Sequence, residues 1–418
     1  MLGLRELSTE LKEEHRAVKE TVHRFAEEVM RPAGIKLDRL SDPSALIAAD
    51  SAYWHVLRKY RELGLHKGSF PATFGGLEQD ALTSALISEE LGWGDGGLAI
   101  SLTVSVIPYV LAMLSPDPEM QELARNYCAD TEGKMIGCWA ITEPDHGSDW
   151  IWFEGEHALN PKCAPSVRAV KDVDDYVING QKSAWVSNGT IATHAALFLT
   201  LDPSKGMSAC GLAIVPLDLP GVSRGKPLDK MGQRALNQGE IFFDNVRIPK
   251  RMMIVEDPTL HNIVLSNLLS GCNTGMASIW AGVARSALDE AIKYAKTRVQ
   301  GGRPICEHQN VKLMLFDMFV SVEAARYFAR QVALHNRAAT AAGGLPALQY
   351  AAAAKVLSTE TAFRVASQAI QIFGGQGVAS DNLVQKIFRD ARASMIEDGV
   401  NEILALAGAD RILSEVTV

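Results

Sequence analysis

Residues 134–249 carry short β-type segments, set between two long stretches in which apolar residues recur every three or four positions. This change of period constrains the chain more than any other feature, because helical and strand patterns bury different faces and must pack as separate layers. In the first block, LKEEHRAVKETVHRFAEEVMRP reads as an amphipathic helix that stops at its proline. YWHVLRKYRELGL and ALTSALISEELGW repeat the pattern on either side of the turn-rich GSFPATFGG. In the middle block, DDYVINGQKSAWV holds Asn179-Gly180 between two β-prone runs and predicts a hairpin turn there. HAALFLTLD, CGLAIVPLD and GEIFFDNVRIP predict further strands. From about residue 262 three long alanine-rich helices follow, which suggests an antiparallel bundle. The expected boundaries are 1–133 for an α-helical N-terminal domain, 134–250 for a β domain and 251–418 for a helical bundle.

Composition narrows the function classes. With 47% hydrophobic and 22% charged residues, the 418-residue chain is an ordinary globular one. A net charge of −8 and the lack of any Lys/Arg block argue against a nucleic-acid partner. The six cysteines, at 128, 138, 163, 210, 272 and 306, form no CxxC pair, so neither a zinc site nor a disulfide framework is expected. No HExxH or HxH indicates a metal, and no GxSxG indicates an acyl-transfer serine. The charged start and the lack of a long uninterrupted apolar run predict a cytoplasmic protein that does not enter the membrane. GWGDGG (92–97) has the spacing GxGxxG but follows a helical pattern, which removes the reason to read a dinucleotide loop.

Four segments can carry chemistry. CWAITEPDHGSDW (138–150) is rich in hydroxyls and free backbone N–H groups, suited to a polar ring edge or a phosphate, or simply to a connecting turn. In WVSNG (185–189) a tryptophan two residues before a serine, read as lying in a strand, is either core or a stacking partner for a planar cofactor. QIFGGQGV (371–378) is a helix stop or a close backbone approach to a ligand. MIEDGVNEI (395–403) places Glu397 and Asp398 side by side after apolar residues.

Taken in order, TEPDHGSD, NGQKSAWVSNG, FFDNVRIP, TRVQGGRPICEHQ, QIFGGQGV, FRDAR and an acid before glycine resemble the acyl-CoA dehydrogenase superfamily of flavoproteins over nearly the whole chain. The resemblance implies an α+β architecture: an α-helical N-terminal domain, a β-barrel-like middle domain and a C-terminal four-helix bundle. It implies FAD bound across a subunit interface in a homotetramer, an acyl-CoA substrate and an electron-transfer flavoprotein as acceptor. Carried onto this sequence, the cofactor-binding set is Trp139, Ile141, Thr142, Ser148, Trp185 and Ser187, with Arg298, Gln309, Gln371, Gly374 and Gly375 from the neighbouring subunit. The substrate-binding set is Ser148, Asp95, Cys272, Asn273, Glu397 and Gly399.

The family base is a glutamate in a Tyr-Glu-Gly-Thr segment; here Asp398 takes its place and Glu397 that of the tyrosine. The alternative base position of a branched-chain subgroup falls on Cys272, and Asn273 stands where many members have arginine. Aspartate is one methylene shorter, about 1.5 Å less reach. A bulky or ring-shaped acyl group, sitting closer, would meet that reach. A second acid pointing inward would disfavour ionisation of both, so Glu397 is expected to turn away. A 1,4-elimination on an unsaturated ring thioester, with Asp398 or Asp95 as base, is a further reading. A nitroalkane-oxidase-like branch also uses aspartate, but Ala405 stands where that branch has arginine. A non-catalytic flavoprotein would have no use for a carboxylate at the base position. After Gly147-Ser148-Asp149, the segment DWIWFEGEHALNPKCAP is longer than the family turn and is either a surface loop or a wall at the acyl or CoA entrance.

Overall fold

The structure, a computed structural model, describes residue 6, residues 11–152 and residues 155–415. The N-terminal helices are α1 (Glu13–Phe25), α2 (Arg31–Asp38), α3 (Ala52–Glu62), α4 (Ala81–Gly94), α5 (Gly96–Val104), α6 (Ile107–Leu114) and α7 (Pro118–Ala129). The proline at 32 does not end the first helix, as its pattern predicts. A π-helical turn at 26–30 widens the spiral, and Pro32 then sits in the first turn of α2, where its missing N–H costs nothing. Asp80, Asp95 and Asp117 cap α4, α5 and α7 through backbone N–H groups. Residues 96–114 have a mean hydropathy of 2.0, long and apolar enough to cross a membrane. Here the segment breaks into α5 and α6 and is 67% buried, as core helices are.

The middle strands are β1 (Gly137–Ala140), β2 (Arg168–Asp172), β3 (Asp175–Lys182), β4 (His194–Thr200), β5 (Cys210–Pro216), β6 (Val222–Arg224), β7 (Ile241–Pro249) and β8 (Met253–Val255). They form a mixed sheet in the order β6-β7-β3-β2-β4-β5-β8, with β1 running parallel to β4. The hairpin predicted at Asn179-Gly180 is not there. β3 runs straight through that pair, and the turn falls at Val173-Asp174, between β2 and β3. Asn179-Gly180 instead forms a bulge against β7, with Gly180 at φ 133° and the Asn179 amide bonded to Asn245.

The C-terminal helices are α8 (Pro258–Thr297), α9 (Gln309–Ala341), α10 (Leu348–Phe373), α11 (Leu383–Ser394) and α12 (Asn401–Glu415). Their alanine-rich faces bring α10 against α8, α9, α11 and α12. A buried ionic cluster ties α4 to this bundle: Glu89 meets Arg285 at 2.6 Å, Arg330 at 2.7 Å and Arg326 at 2.9 Å. Such a cluster fixes relative orientation, since each charge is costly unless paired in one geometry. A second apolar cluster matters most for function. It joins Trp139 of β1 and Phe198 of β4 to Trp150, Ile151, Leu265 of α8 and Leu404 of α12.

Candidate active site

The chain between α11 and α12 turns sharply, and this turn carries both acids. Asp398 has φ 50° and Gly399 has φ 94°, two successive left-handed residues. Five hydrogen bonds hold that costly conformation. Asn273 of α8 donates its Nδ2 to the Asp398 carbonyl at 3.5 Å. Lys355, fully buried on α10, donates to the Gly399 carbonyl at 2.8 Å and to Asn401 Oδ1 at 2.9 Å. The Val400 N–H reaches Ser148 Oγ at 3.0 Å, and the Asn401 N–H bonds the Met395 carbonyl. Middle and C-terminal elements therefore meet at the turn that carries the two acids. Cys272 lies beside it on α8, its thiol pushed well up by burial and by the Asp398 charge.

Asp398 and Glu397 keep part of their surface open while protein crowds them from several sides. Burial raises the Asp398 carboxyl above its ordinary range, and the Lys355 ammonium partly opposes that. Glu397 is pushed up to about 8, first by burial and then by the Asp398 charge. Lys355 is pushed down to about 8 by burial, against the pull of both acids. Glu397 does not turn away as expected. Gln233, itself buried in the loop before β7, donates Nε2 to Glu397 Oε1 at 2.7 Å. This bond satisfies one carboxyl oxygen of the inward acid, and as a donor it partly opposes the rise that burial and the Asp398 charge impose.

Asp95 is buried and already committed. One oxygen caps the Leu98 N–H at 2.9 Å, and the other meets Lys386 of α11 at 2.6 Å. This corrects the reading of Asp95 as a base or substrate contact, because both lone-pair faces serve the fold. Lys386 also pairs with Asp390, whose carboxylate accepts the Gln233 backbone N–H, so the same network anchors the loop that holds Glu397.

On the sheet side, Trp139 of β1 is buried, and its indole N–H has no partner among the described residues. Ile141 and Thr142 follow β1. The Ile141 carbonyl accepts from Lys182 at 2.9 Å and the Thr142 carbonyl from the Ser183 N–H at 2.9 Å. Lys182 is fully buried and paired with Glu143 at 2.7 Å, which shapes the Thr-Glu-Pro loop from beneath. Trp185 lies in the turn after β3 rather than in a strand, and 59% of it is exposed. Gln238 donates to its carbonyl at 3.1 Å and to Ser187 Oγ at 3.3 Å, and itself accepts from Lys230 at 2.7 Å. Lys230 is pushed down to about 8 by burial and pulled the other way by Glu397 and Asp390, so the Trp185–Ser187 turn is coupled electrostatically to the acids.

Arg298, Gln309, Gln371, Gly374 and Gly375 are all exposed, and the structure does not bring them to the acids. Tyr294 stacks on Phe373 at 4.0 Å and sets the ends of α8 and α10 side by side. At ~1.5 Å per residue, Gly374 lies roughly 28 Å along the helix from Lys355. A Cβ on Gly374 or Gly375 would meet nothing, so the backbone there is open to a ligand. An exposed tryptophan face, an orphaned indole N–H and an open glycine backbone fit a planar ring at one place and a phosphate or ribose at another. Among the described residues no group of His, Cys, Asp or Glu could hold a metal.

Sequence reasoning missed Lys355, Gln233, Lys230 and the Lys182–Glu143 pair. A lone lysine in the alanine run of α10 was a usable signal, since a charge amid core alanines requires a partner. Gln233 and Lys230 left no such signal, because only the fold brings their loop to Glu397.

Comparison with known proteins supplies the family. Residues 12–117, 138–246 and 264–413 match the N-terminal, middle and C-terminal domain models of acyl-CoA dehydrogenase. Cyclohex-1-ene-1-carbonyl-CoA dehydrogenase of Geobacter metallireducens is 32% identical over 85% of this chain and 88% of that protein. Butyryl-CoA dehydrogenase from Megasphaera elsdenii superposes with a TM-score of 0.84 at 27% identity, over 97% of this chain and all of that one. A chain from the structure described as electron transferring flavoprotein of Acidaminococcus fermentans superposes at 0.83 with 28% identity, over 97% of this chain and all of that one. With all three domains matched, the chain belongs to the acyl-CoA dehydrogenase family, FAD-dependent oxidoreductases of the CH–CH bond of acyl-CoA thioesters.

Proposed function

We propose that this enzyme removes the α-proton of an acyl-CoA thioester with Asp398, and that its preferred acyl group is alicyclic or otherwise bulky. The observation that carries the reading is the held turn. Asp398 sits in a left-handed conformation fixed by Asn273, Lys355 and Ser148, with its carboxyl raised by burial. A raised carboxyl is a stronger base toward an activated carbon acid. FAD, when bound, supplies the acceptor for the β-hydride. The chain's part is to take the proton on an Asp398 oxygen, keep Glu397 neutral beside it through burial and the Asp398 charge, and present Trp185 and Ser187 to the ring. The shorter reach of aspartate favours an acyl group that sits close to the turn, and the likeness to a cyclohexene-carbonyl-CoA enzyme supports a ring, whether the elimination is 1,2 or 1,4.

The distance along α10 between the Lys355 region and Gly374 supports a shared cofactor. On this reading, Arg298, Gln309, Gln371, Gly374 and Gly375 serve the FAD of a second copy within a homotetramer, and an electron-transfer flavoprotein takes the electrons. Anaerobic titration of the holoenzyme with linear and cyclic acyl-CoA thioesters tests the proposal. The oxidised flavin band should bleach with a cyclic thioester at lower concentration than with a linear one of equal carbon number, and product NMR separates 1,2- from 1,4-elimination. Bleaching by no thioester in the panel would refute the reaction, and preference for the linear series would refute the acyl assignment.

A further inference from the structure

Ser148 to Trp152 form a short segment that touches the base-bearing turn twice and the helix after it once. Ser148 Oγ accepts the Val400 N–H at 3.0 Å. Ile151 is 7% exposed, and its Cδ1 lies against Gly399 so closely that a Cβ there would approach within 2.5 Å. The Trp152 indole N–H donates to Asp410 Oδ2 on α12 at 2.8 Å. The segment is also fixed from its own side. Asp149 accepts from the Gly147 N–H at 2.6 Å and pairs with His146 at 2.6 Å. Trp150 is buried between Phe198 at 5.9 Å and His261 at 6.5 Å, with the Lys182 ammonium 5.3 Å from its ring. The two residues that this segment touches on the turn are those immediately after Asp398. From α8 and α10, Asn273 and Lys355 donate to the Asp398 and Gly399 carbonyls. The turn is thus clamped between two helices and this segment.

Among the described residues Ile151 is the nearest neighbour of a Cβ placed on Gly399, ahead of Leu404 of α12 at 3.1 Å, so the position of Ile151 decides how far the turn can relax. We propose that residues 148–152 are a strap that sets the reach of the Asp398 carboxylate, which makes Ile151 and Trp152 positioning residues for proton abstraction. The proposal rests on Asp398 being the base. On this reading the segment acts on the turn itself, fixing where the shorter aspartate presents its carboxylate. Phe153 lies outside the described residues.

Two mild variants test it in the holoenzyme. Ile151→Val deletes only the Cδ1 that touches Gly399, and Trp152→Phe removes the N–H that reaches Asp410 while keeping an aromatic ring. Each should lower the anaerobic rate of flavin reduction by about tenfold with KM within about threefold, since a misplaced reacting group costs rate rather than binding. The signature is coupling with Asp398→Glu. The added methylene should slow the parent enzyme yet partly restore Ile151→Val, so that the double variant is at least about fivefold faster than the product of the single effects. Equal effects of Asp398→Glu in both backgrounds would overturn the strap. Asp398→Asn separates the two ideas: full activity of that variant would overturn both, whereas an inactive Asp398→Asn with no coupling would overturn the strap alone.

Discussion

Glu397→Gln is the perturbation whose magnitude the structure fixes best. Glu397 rises from 4.5 to about 8, through burial and the neighbouring Asp398 charge. Between those limits the folded protein keeps a proton that the unfolded chain has lost, so stability falls as pH rises through that window and the penalty is complete above about 8. At ~1.4 kcal/mol per unit the shift caps the penalty near ~5 kcal/mol; the part of Glu397 that solvent reaches, with Lys355 and Lys230 nearby, reduces it to ~2 kcal/mol. Glutamine matches the neutral acid in shape and can still accept from Gln233. The variant should therefore melt with the parent at pH 5 and be more stable by ~2 kcal/mol at pH 9. Urea unfolding of the two proteins at both pH values measures this. Equal destabilisation at both pH values, or a parent whose stability does not fall relative to the variant, would refute the account of an inward, protonated Glu397.

Other outcomes follow from the same contacts. Lys355→Met removes the cation that opposes the rise of Asp398 and two hydrogen bonds to the turn. The acidic limb of the pH profile for flavin reduction should move up by about one unit or more, with reduced maximal rate. Gly399→Ala meets both φ 94° and Ile151, and should cost ~1–3 kcal/mol in chemical unfolding. Glu143→Gln leaves the buried Lys182 ammonium unpaired, and should cost ~3–5 kcal/mol and loosen flavin retention on dialysis.

Much of the fold was legible because period reports burial. The long helices of the bundle and the strands β4, β5 and β7 stand where their patterns placed them. The misses have local causes. Asn179-Gly180 has hairpin chemistry, but pairing with β7 continues on both sides and turns the pair into a bulge. Pro32 is a helix breaker that a π turn accommodates. The assignment of Asp398 as the base came from the resemblance alone, while its turn was visible as an acid before glycine between apolar runs. The inward Glu397 was not, because its partner Gln233 is 164 residues away in sequence. Asp95 misled for the same reason: its partner Lys386 comes from the other end of the chain.

The central claim is that Asp398 takes the proton. Asp398→Asn keeps the backbone contacts of the turn, which use the residue's carbonyl and not its carboxylate. Purified with its flavin, this variant should bind acyl-CoA with little change, seen as a perturbed flavin spectrum. On anaerobic addition of the best substrate its oxidised band should persist where the parent's bleaches. Bleaching at the parent's rate would contradict the account.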